Sequence, residues 1–287
     1  MRALILAAGR GSRMGALSDD RPKCLVELAG CPLLERQIAA LRRGGAQEIA
    51  IVRGYRGEML DAPGLTCFDN ERWAQTNMVM SLATAAAWLR AGPVIVSYAD
   101  IFYRSELVRA LAQAPEPLAI AYDRAWRSLW TRRFADPLAD AETFRIGAKG
   151  ELLEIGGKTR RIEDIEGQYM GLLKFTPRAW SAVESVLGSL DATVRDRLDV
   201  TGLLSRLLVG NVLPIGTLGT DGQWGEVDSP SDVDLYQRMV AEGTLVLEVA
   251  DSIGCAVPRY GRLESKVTVC KIEPCGAAAA RPDCLSD

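Results

Sequence analysis

Short apolar segments alternate with helical patterns over the first 122 residues, and this alternation restricts the possible folds more than any other feature. Buried strands are predicted at 3–6, 48–53, 93–98 and 118–122. Helices are predicted between them, at 33–43, 81–90 and 105–113. Strands that alternate with helices are typical of βαβ units. We therefore expect an α/β fold with a mostly parallel central sheet that carries helices on both faces.

The pattern changes after residue 122. Residues 144–155 predict a β-hairpin whose turn lies at Lys149-Gly150. The remaining predicted elements are strands at 168–175 and 212–215 and helices at 180–187, 200–208 and 231–241, the last one capped by Ser231 and followed by Gly243. We predict one domain over residues 1–243, with an acceptor-binding portion at about 123–180. A C-terminal extension over 244–287 is expected to be partly disordered.

Composition excludes several classes of function. The chain has no histidine, so a histidine base, a serine–histidine or cysteine–histidine nucleophile and a histidine-ligated metal are all excluded. Its 34 basic and 37 acidic residues give a net charge of -3, so we expect neither nucleic acid nor membrane as a partner. The seven cysteines form no CxxC pair, and their odd number argues against a framework of disulfide bonds. With no secretory leader and no apolar run near the roughly 18 residues that span a bilayer, a cytoplasmic protein is expected.

A glycine-containing loop follows the first strand and reads Leu-Ala-Ala-Gly-Arg-Gly-Ser-Arg-Met over residues 6–14. Its backbone amides would face the carboxyl edge of the sheet, where they suit a polyphosphate. Met14 replaces the third glycine of a dinucleotide fingerprint, and the Gly-Lys-Ser/Thr of a P-loop is absent. Arg13 and Lys23 add two cations, which we predict to be catalytic. The residues predicted here to bind nucleotide are Leu6, Ala7, Ala8, Gly9, Gly11, Ser12 and Arg13.

Two aspartates stand where acidic residues would meet at one sheet edge. Asp100 follows the apolar strand at 93–98, and Asp228 precedes the last helix. Carboxylates that share an ion with substrate phosphates are the usual ligands of Mg²⁺ in proteins. We predict that Asp100 and Asp228 bind Mg²⁺.

The 6–14 segment, together with Pro22-Lys23, resembles the signature of the sugar-phosphate nucleotidyltransferase superfamily. The similarity extends from Met1 to about Ala241. The resemblance implies a Rossmann-like three-layer fold with a small acceptor-binding β insertion. It also implies an enzyme that joins a nucleoside triphosphate to a phosphorylated compound and releases pyrophosphate, with metal-binding roles for Asp100 and Asp228.

The segment Thr76-Asn77-x-x-x-Ser81-Leu departs from the base-reading pattern of the hexose-1-phosphate enzymes in this superfamily. It is similar to the small cytidylyltransferases that act on phosphocholine and related compounds, including phosphonates. Asn77 and Ser81 lie four residues apart, on one helical face, and are predicted with Thr76 to contact cytosine. The alternative is that Thr76 or Asn77 serves only as a helix N-cap.

The acceptor is predicted to lie beside residues from the second half of the chain. Trp126 and Trp130 are four residues apart and would form a wall for a quaternary ammonium, unless they are core residues. Arg133 suits an anionic group, although a solvated surface arginine is the alternative. The superfamily resemblance implies acceptor contacts for Lys158 and Tyr169. The predicted acceptor-binding residues are therefore Lys23, Trp126, Trp130, Arg133, Lys158 and Tyr169.

Together these features predict a Mg²⁺-dependent cytidylyltransferase. Its acceptor, such as phosphocholine or aminoethylphosphonate, would attack the α-phosphate of CTP in line, without a protein nucleophile or base. A hexose-1-phosphate uridylyl- or thymidylyltransferase is the first alternative. A non-catalytic nucleotide-binding regulatory protein is the second. A homodimer is compatible with the sequence.

Overall fold

The structure is a computed structural model that describes residues 1–62 and 64–249. Its strands are β1 Arg2–Ala7, β2 Glu27–Leu28, β3 Cys31–Pro32, β4 Glu48–Arg53, β5 Leu65–Asp69, β6 Val94–Tyr98, β7 Ile101–Phe102, β8 Leu118–Asp123, β9 Phe144–Ile146, β10 Leu152–Ile155, β11 Gln168–Phe175, β12 Ile215–Thr220 and β13 Gly225–Glu226. Its α-helices are α1 Leu33–Arg43, α2 Met78–Thr84, α3 Ala86–Ala91, α4 Ser105–Ala112, α5 Trp126–Arg133, α6 Pro177–Ser189, α7 Ala192–Asp196, α8 Val200–Val209 and α9 Pro230–Ala241.

Seven of the described strands form the central sheet, in the order β12-β8-β11-β6-β1-β4-β5. Strand β1 lies parallel to β4 and β6, β4 lies parallel to β5, and β12 lies parallel to β8. Strand β11 is antiparallel to both of its neighbours, β6 and β8. The predicted α/β fold with a mostly parallel sheet is confirmed.

Both faces of the sheet are covered, which explains why β1 is apolar throughout. Side chains alternate between the two faces of a strand. Leu4 of β1 therefore packs in a core with residues of α2, α6 and α8, whereas Ile5 packs in a second core with residues of α1 and α4. Both side chains are fully buried.

Several predicted elements have the bounds that the sequence indicates. Helix α1 and strands β4 and β11 coincide with the predicted 33–43, 48–53 and 168–175. Strands β9 and β10 form the predicted antiparallel hairpin. Gly150 in its turn has φ +79°, a conformation that glycine adopts without steric cost.

Other predicted elements differ from the structure. The helix predicted at 81–90 begins earlier and is divided into α2 and α3 at Ala85. The strand predicted at 212–215 lies instead at 215–220, as β12. Ser229, not Ser231, caps α9, because its hydroxyl accepts from the Asp232 amide while the Asp232 carboxylate accepts from the Ser229 amide. Strand β5 and helix α7 were not predicted.

The first residues of the predicted C-terminal extension pack on the domain. Leu245 and Leu247 are buried in the same core as α1 and α4. The Glu248 carboxylate accepts from Arg43 at 2.7 Å and from the Ser105 amide at 3.0 Å. Residues 250–287, where disorder is expected, lie outside the described residues. No helix of the described part is long and apolar enough to cross a membrane.

Candidate active site

The glycine loop after β1 is shaped by a close approach to Lys23. Gly11 has φ +68°, and a Cβ atom added there would lie 2.9 Å from both Cβ and Cδ of Lys23. The Gly11 carbonyl accepts hydrogen bonds from the Met14 amide and the Ser18 hydroxyl, each at 3.0 Å. Glycine is therefore required at position 11 both by backbone conformation and by the space that Lys23 occupies.

A short strand pair brings the two predicted metal ligands together. Strand β7 pairs antiparallel with β13, and the Val227 amide donates to the Asp100 carbonyl at 2.9 Å. Asp100 directly precedes β7 and Asp228 follows β13 by two residues, so their carboxylates converge. Glu226 joins them, and one carboxylate oxygen from each of the three residues lies within 4.8 Å of the others.

Lys23 lies between the two aspartates. Its Nζ donates to Asp100 Oδ2 at 2.7 Å and to Asp228 Oδ1 at 2.5 Å. Burial alone would lower the pKa of Lys23, but the charges and hydrogen bonds of the two carboxylates outweigh it and raise that pKa. Lys23 is therefore a fixed cation at neutral pH, with its side chain only 10% exposed.

Two arginines contact the same acidic group, each at a different oxygen of Asp228. Arg13 donates to Asp228 Oδ1 at 2.9 Å from a side chain that is 68% exposed. Arg133 is 1% exposed and lies 2.9 Å from Asp232, 3.4 Å from Glu226 and 3.5 Å from Asp228. Because Arg133 is buried among these carboxylates and stacks on Trp130, it is not available as the predicted acceptor contact. Its place is behind the acidic group, where it holds the carboxylates in position.

Burial and neighbouring charges shift the acids in opposite directions. Burial, followed by the charges of Asp100 and Asp228, raises the pKa of Glu226 to about 8. Burial also opposes ionisation of Asp228, but the charge and hydrogen bond of Lys23, together with Arg13 and Arg133, lower its pKa. The group therefore carries fewer negative charges at neutral pH than its three carboxylates suggest, and an added cation would favour full ionisation.

Most of the predicted nucleotide-binding residues line one cavity above the carboxyl end of β1. These residues are Leu6, Ala7, Ala8, Gly9, Gly11, Ser12, Arg13 and Ser81, and Lys23, predicted to be catalytic, lines the same cavity. Met78, Tyr98 and Asp100 are also part of its wall. The Ser81 hydroxyl accepts from Asn70 Nδ2 at 2.9 Å. Ser81 therefore remains able to donate its own proton into the cavity.

The described residues that line this cavity do not include Thr76 or Asn77. Asn77 is the N-cap of α2: its Oδ1 accepts from the Met78 amide at 2.7 Å, and its Nδ2 donates to the Arg197 carbonyl at 3.2 Å. The Thr76 hydroxyl is bonded to Asn70 Nδ2 and to the Arg72 carbonyl. Both side chains form hydrogen bonds within the protein, and Asn77 is the helix N-cap, which agrees with the alternative interpretation of the sequence.

A second cavity lies on the other side of the acidic group. Its wall includes Arg13, Tyr98, Trp130, Asp140, Glu142, Phe144, Tyr169, Trp224, Glu226 and Asp228. Trp130 and Tyr169, two of the predicted acceptor-binding residues, are part of this wall. Trp126 packs edge-on against Trp130 in the core and is not among the residues of the wall, so the two indoles do not form the predicted paired surface. Lys158 is exposed beside the cavity, and its Nζ donates to the Asp140 carbonyl at 3.0 Å.

Comparison with known proteins assigns the family. The sequence profile of the MobA-like NTP transferase domain matches residues 3–186. This chain belongs to the MobA-like NTP transferase family. The superfamily resemblance seen in the sequence is thereby confirmed.

Relatives of this MobA-like NTP transferase include cytidylyltransferases. A CTP:phosphoglutamine cytidylyltransferase of Campylobacter jejuni is 35% identical over 252 residues, which cover 82% of this chain and 98% of the relative. A 2-aminoethylphosphonate cytidylyltransferase of Lancefieldella rimae is 28% identical over 54% of this chain and 60% of its own length. The fold resembles that of a CTP:phosphocholine cytidylyltransferase of Streptococcus pneumoniae, with TM-score 0.61 and 20% identity over 83% of this chain and 98% of that structure.

Sequence reasoning missed several residues of this MobA-like NTP transferase site. Glu226 could have been found from the sequence, since it is an acidic residue only two positions before the predicted ligand Asp228. Asn70, which holds Ser81, lies after the unpredicted strand β5 and carries no local signal. Asp140 and Glu142 lie in the loop before β9 and give no pattern either.

Proposed function

We propose that this protein transfers a cytidylyl group from CTP to a small phosphorylated or phosphonate acceptor and releases pyrophosphate. The observation that carries the proposal is the position of Lys23, Asp100 and Asp228 between two cavities. Lys23 and Asp100 line the cavity of the glycine loop, Asp228 lines the second cavity, and Arg13 lines both. An α-phosphate from one side and an acceptor phosphate from the other would meet at this point.

The first cavity suits CTP. Backbone amides of the glycine loop and the Arg13 guanidinium would bind the β- and γ-phosphates, while Lys23 would contact the α-phosphate. The Ser81 hydroxyl, held by Asn70, is the side-chain donor we assign to the base. The C. jejuni relative, matched over nearly its whole length, is named for its use of CTP, which favours cytosine over uracil or thymine.

Asp100, Asp228 and Glu226 would hold a divalent cation. Their donors are all carboxylate oxygens, which suit Mg²⁺, and Asp100 Oδ1 is buried without a hydrogen-bond partner among the described residues. When bound, Mg²⁺ would neutralise charge on the phosphates. The three carboxylates would hold the ion near the point where the two cavities meet, and Arg133, which contacts Asp228 and Glu226, would keep these two carboxylates in position.

The reaction then needs no general base from the protein. An oxygen of the acceptor phosphate or phosphonate attacks the α-phosphorus of CTP, a new phosphoanhydride bond forms, and the bond to the β-phosphate breaks. The attacking oxygen is already ionised at neutral pH. The residues contribute position and charge: Lys23 and Arg13 stabilise the negative charge that spreads over the transferring phosphoryl group.

Nucleotide-dependent pyrophosphate release tests the proposal. CTP, UTP, dTTP, ATP and GTP would each be combined with Mg²⁺ and with phosphocholine, phosphoglutamine, 2-aminoethylphosphonate or glucose 1-phosphate. We expect pyrophosphate from CTP with one of the first three acceptors. Release from UTP or dTTP with glucose 1-phosphate would instead establish the hexose-1-phosphate alternative. CTP binding without turnover on any acceptor would support a non-catalytic nucleotide-binding protein.

A further inference from the structure

The wall of the second cavity opposite the glycine loop carries two carboxylates, Asp140 and Glu142. They flank Ala141, which is buried and anchors the segment between α5 and β9. The backbone of Glu142 is held on both sides by Gln168, whose Oε1 accepts from its amide at 3.3 Å and whose Nε2 donates to its carbonyl at 2.8 Å. The segment that carries the two acids is therefore fixed, not a free loop.

The Glu142 carboxylate forms no hydrogen bond or ion pair with any residue that the structure describes. Within residues 1–62 and 64–249, the Asp140 carboxylate is bonded through one oxygen only, with Trp130 Nε1 donating to Oδ2 at 3.0 Å. Lys158 is exposed, and its Nζ donates to the Asp140 backbone carbonyl and not to either carboxylate. Among the described residues, therefore, no ion pair neutralises the negative charge of this wall.

The surroundings of Glu142 increase the cost of that charge. Burial raises the pKa of Glu142, Lys158 partly offsets the effect, and the charges of Asp199 and Asp140 raise the pKa further. A half-buried carboxylate beside two like charges is unfavourable unless a ligand supplies the opposite charge.

Aromatic side chains complete the surroundings. Trp130, Tyr98 and Tyr169 line the cavity, and the last two rings pack edge-to-face with centroids 5.8 Å apart. Aromatic faces together with carboxylates attract organic cations. Arg13, the cationic residue among those that line this cavity, lies at the end where the phosphate reacts.

We propose that Asp140 and Glu142 bind a positively charged nitrogen of the acceptor, and that this contact selects cationic or zwitterionic acceptors over neutral ones. The proposal rests on the cytidylyltransferase function proposed above. The acceptor would lie with its phosphate at Lys23 and its nitrogen at the Asp140–Glu142 wall. This assignment replaces the cation-binding pair Trp126–Trp130 and the anion-binding Arg133 that the sequence predicted.

The test compares acceptors that differ only in the charged nitrogen. Initial rates of pyrophosphate release from CTP would be measured with phosphocholine, phosphoethanolamine and phosphoglutamine. Each would be paired with an analogue in which carbon or hydroxyl replaces the charged nitrogen. For an acceptor with a primary ammonium, which can donate to a carboxylate, we expect kcat/KM to exceed that of its neutral analogue by about 10- to 100-fold, the range of a charge-assisted hydrogen bond.

Variants assign the effect to the wall. Glu142→Gln should remove most of this preference by raising KM for the cationic acceptor about tenfold or more, with kcat and the rate on the neutral analogue almost unchanged. Glu163→Gln is the matched control, because Glu163 belongs to the same part of the chain and its side chain is 69% exposed outside the cavity. Equal rates on charged and neutral acceptors, or a Glu142→Gln variant that keeps the preference, would overturn the proposal while leaving cytidylyl transfer intact. Absence of pyrophosphate from every acceptor would overturn both.

Discussion

Replacement of Lys23 by alanine removes the cation between Asp100 and Asp228. The ammonium forms two charge-assisted hydrogen bonds, at 2.7 and 2.5 Å, from a side chain only 10% exposed. Such bonds contribute about 1.5–3 kcal/mol each. Arg13 also contacts Asp228, but its side chain is 68% exposed and water screens its charge.

If the same ammonium stabilises phosphate charge in the transition state, its loss should cost about 3–5 kcal/mol. That corresponds to a fall in kcat of about 10²- to 10⁴-fold. Single-turnover rates of pyrophosphate formation measure it directly, with Lys149→Ala as control because Lys149 lies in the exposed hairpin turn. Near-ultraviolet circular dichroism checks that the variant is folded. A folded Lys23→Ala protein with kcat within about tenfold of the wild type would refute this role.

Three further predictions test the surroundings of the site. Gly11→Ala should lower kcat/KM sharply, because the added Cβ would displace Lys23. Gly150→Ala is the control: it has similar backbone strain but open space around the added Cβ, so it should keep full activity. Equal activities of the two variants would contradict the close approach of Lys23 to Gly11. Arg133→Met should lower the free energy of unfolding by about 3–5 kcal/mol, as measured in urea, because it leaves buried carboxylates unpaired. Unchanged stability with a raised acceptor KM would restore Arg133 as an acceptor contact. Because the pKa of Glu226 is raised to about 8, the folded protein binds more protons than the unfolded chain between about pH 4.5 and 8. Without divalent cations, the contribution of Glu226 to the free energy of unfolding should therefore fall as pH rises through this window. Glu226→Gln should remove that pH dependence. If the variant keeps the wild-type slope of unfolding free energy against pH, another group titrates.

The sequence predicted the main sheet because local pattern and tertiary position agree there. Buried parallel strands need apolar residues on both faces, and β1 and β4 meet that requirement with continuous apolar runs. Strand β5 was missed because its residues are only partly buried and include Asp69 at its end. The division of the 78–91 segment at Ala85 has no sequence signal, since alanine favours helix.

The site was predictable where chemistry and local pattern coincide. Gly11 and Asp100 follow predicted strands, Asp228 precedes a predicted helix, and Lys23 belongs to the Pro-Lys motif. Arg133 shows the limit: a cation in an arginine-rich stretch looks solvated or ligand-binding, and only the fold brings it against acids from residues 226–232. Contacts between distant segments decide whether a charged side chain faces a ligand or the interior.

The acceptor wall lies beyond sequence prediction for the same reason. Glu142 is fixed by Gln168, which belongs to β11, and Asp140 by Trp130, which belongs to α5. The two acids are only two residues apart, but nothing in that spacing indicates a ligand, and the cavity that they share is lined by residues of α5, β9, β10 and β11 that are distant in the sequence.

The measurement that tests cytidylyl transfer most directly is a ³¹P NMR time course of the protein with CTP, Mg²⁺ and phosphoglutamine, phosphocholine or 2-aminoethylphosphonate in separate tubes. We predict that in one tube pyrophosphate and a cytidine product with two linked phosphorus resonances appear in equal amounts, with none in the Asp100→Asn variant. Hydrolysis of CTP to CMP at the same rate with and without acceptor, or no consumption of CTP in any tube, would contradict the proposed function.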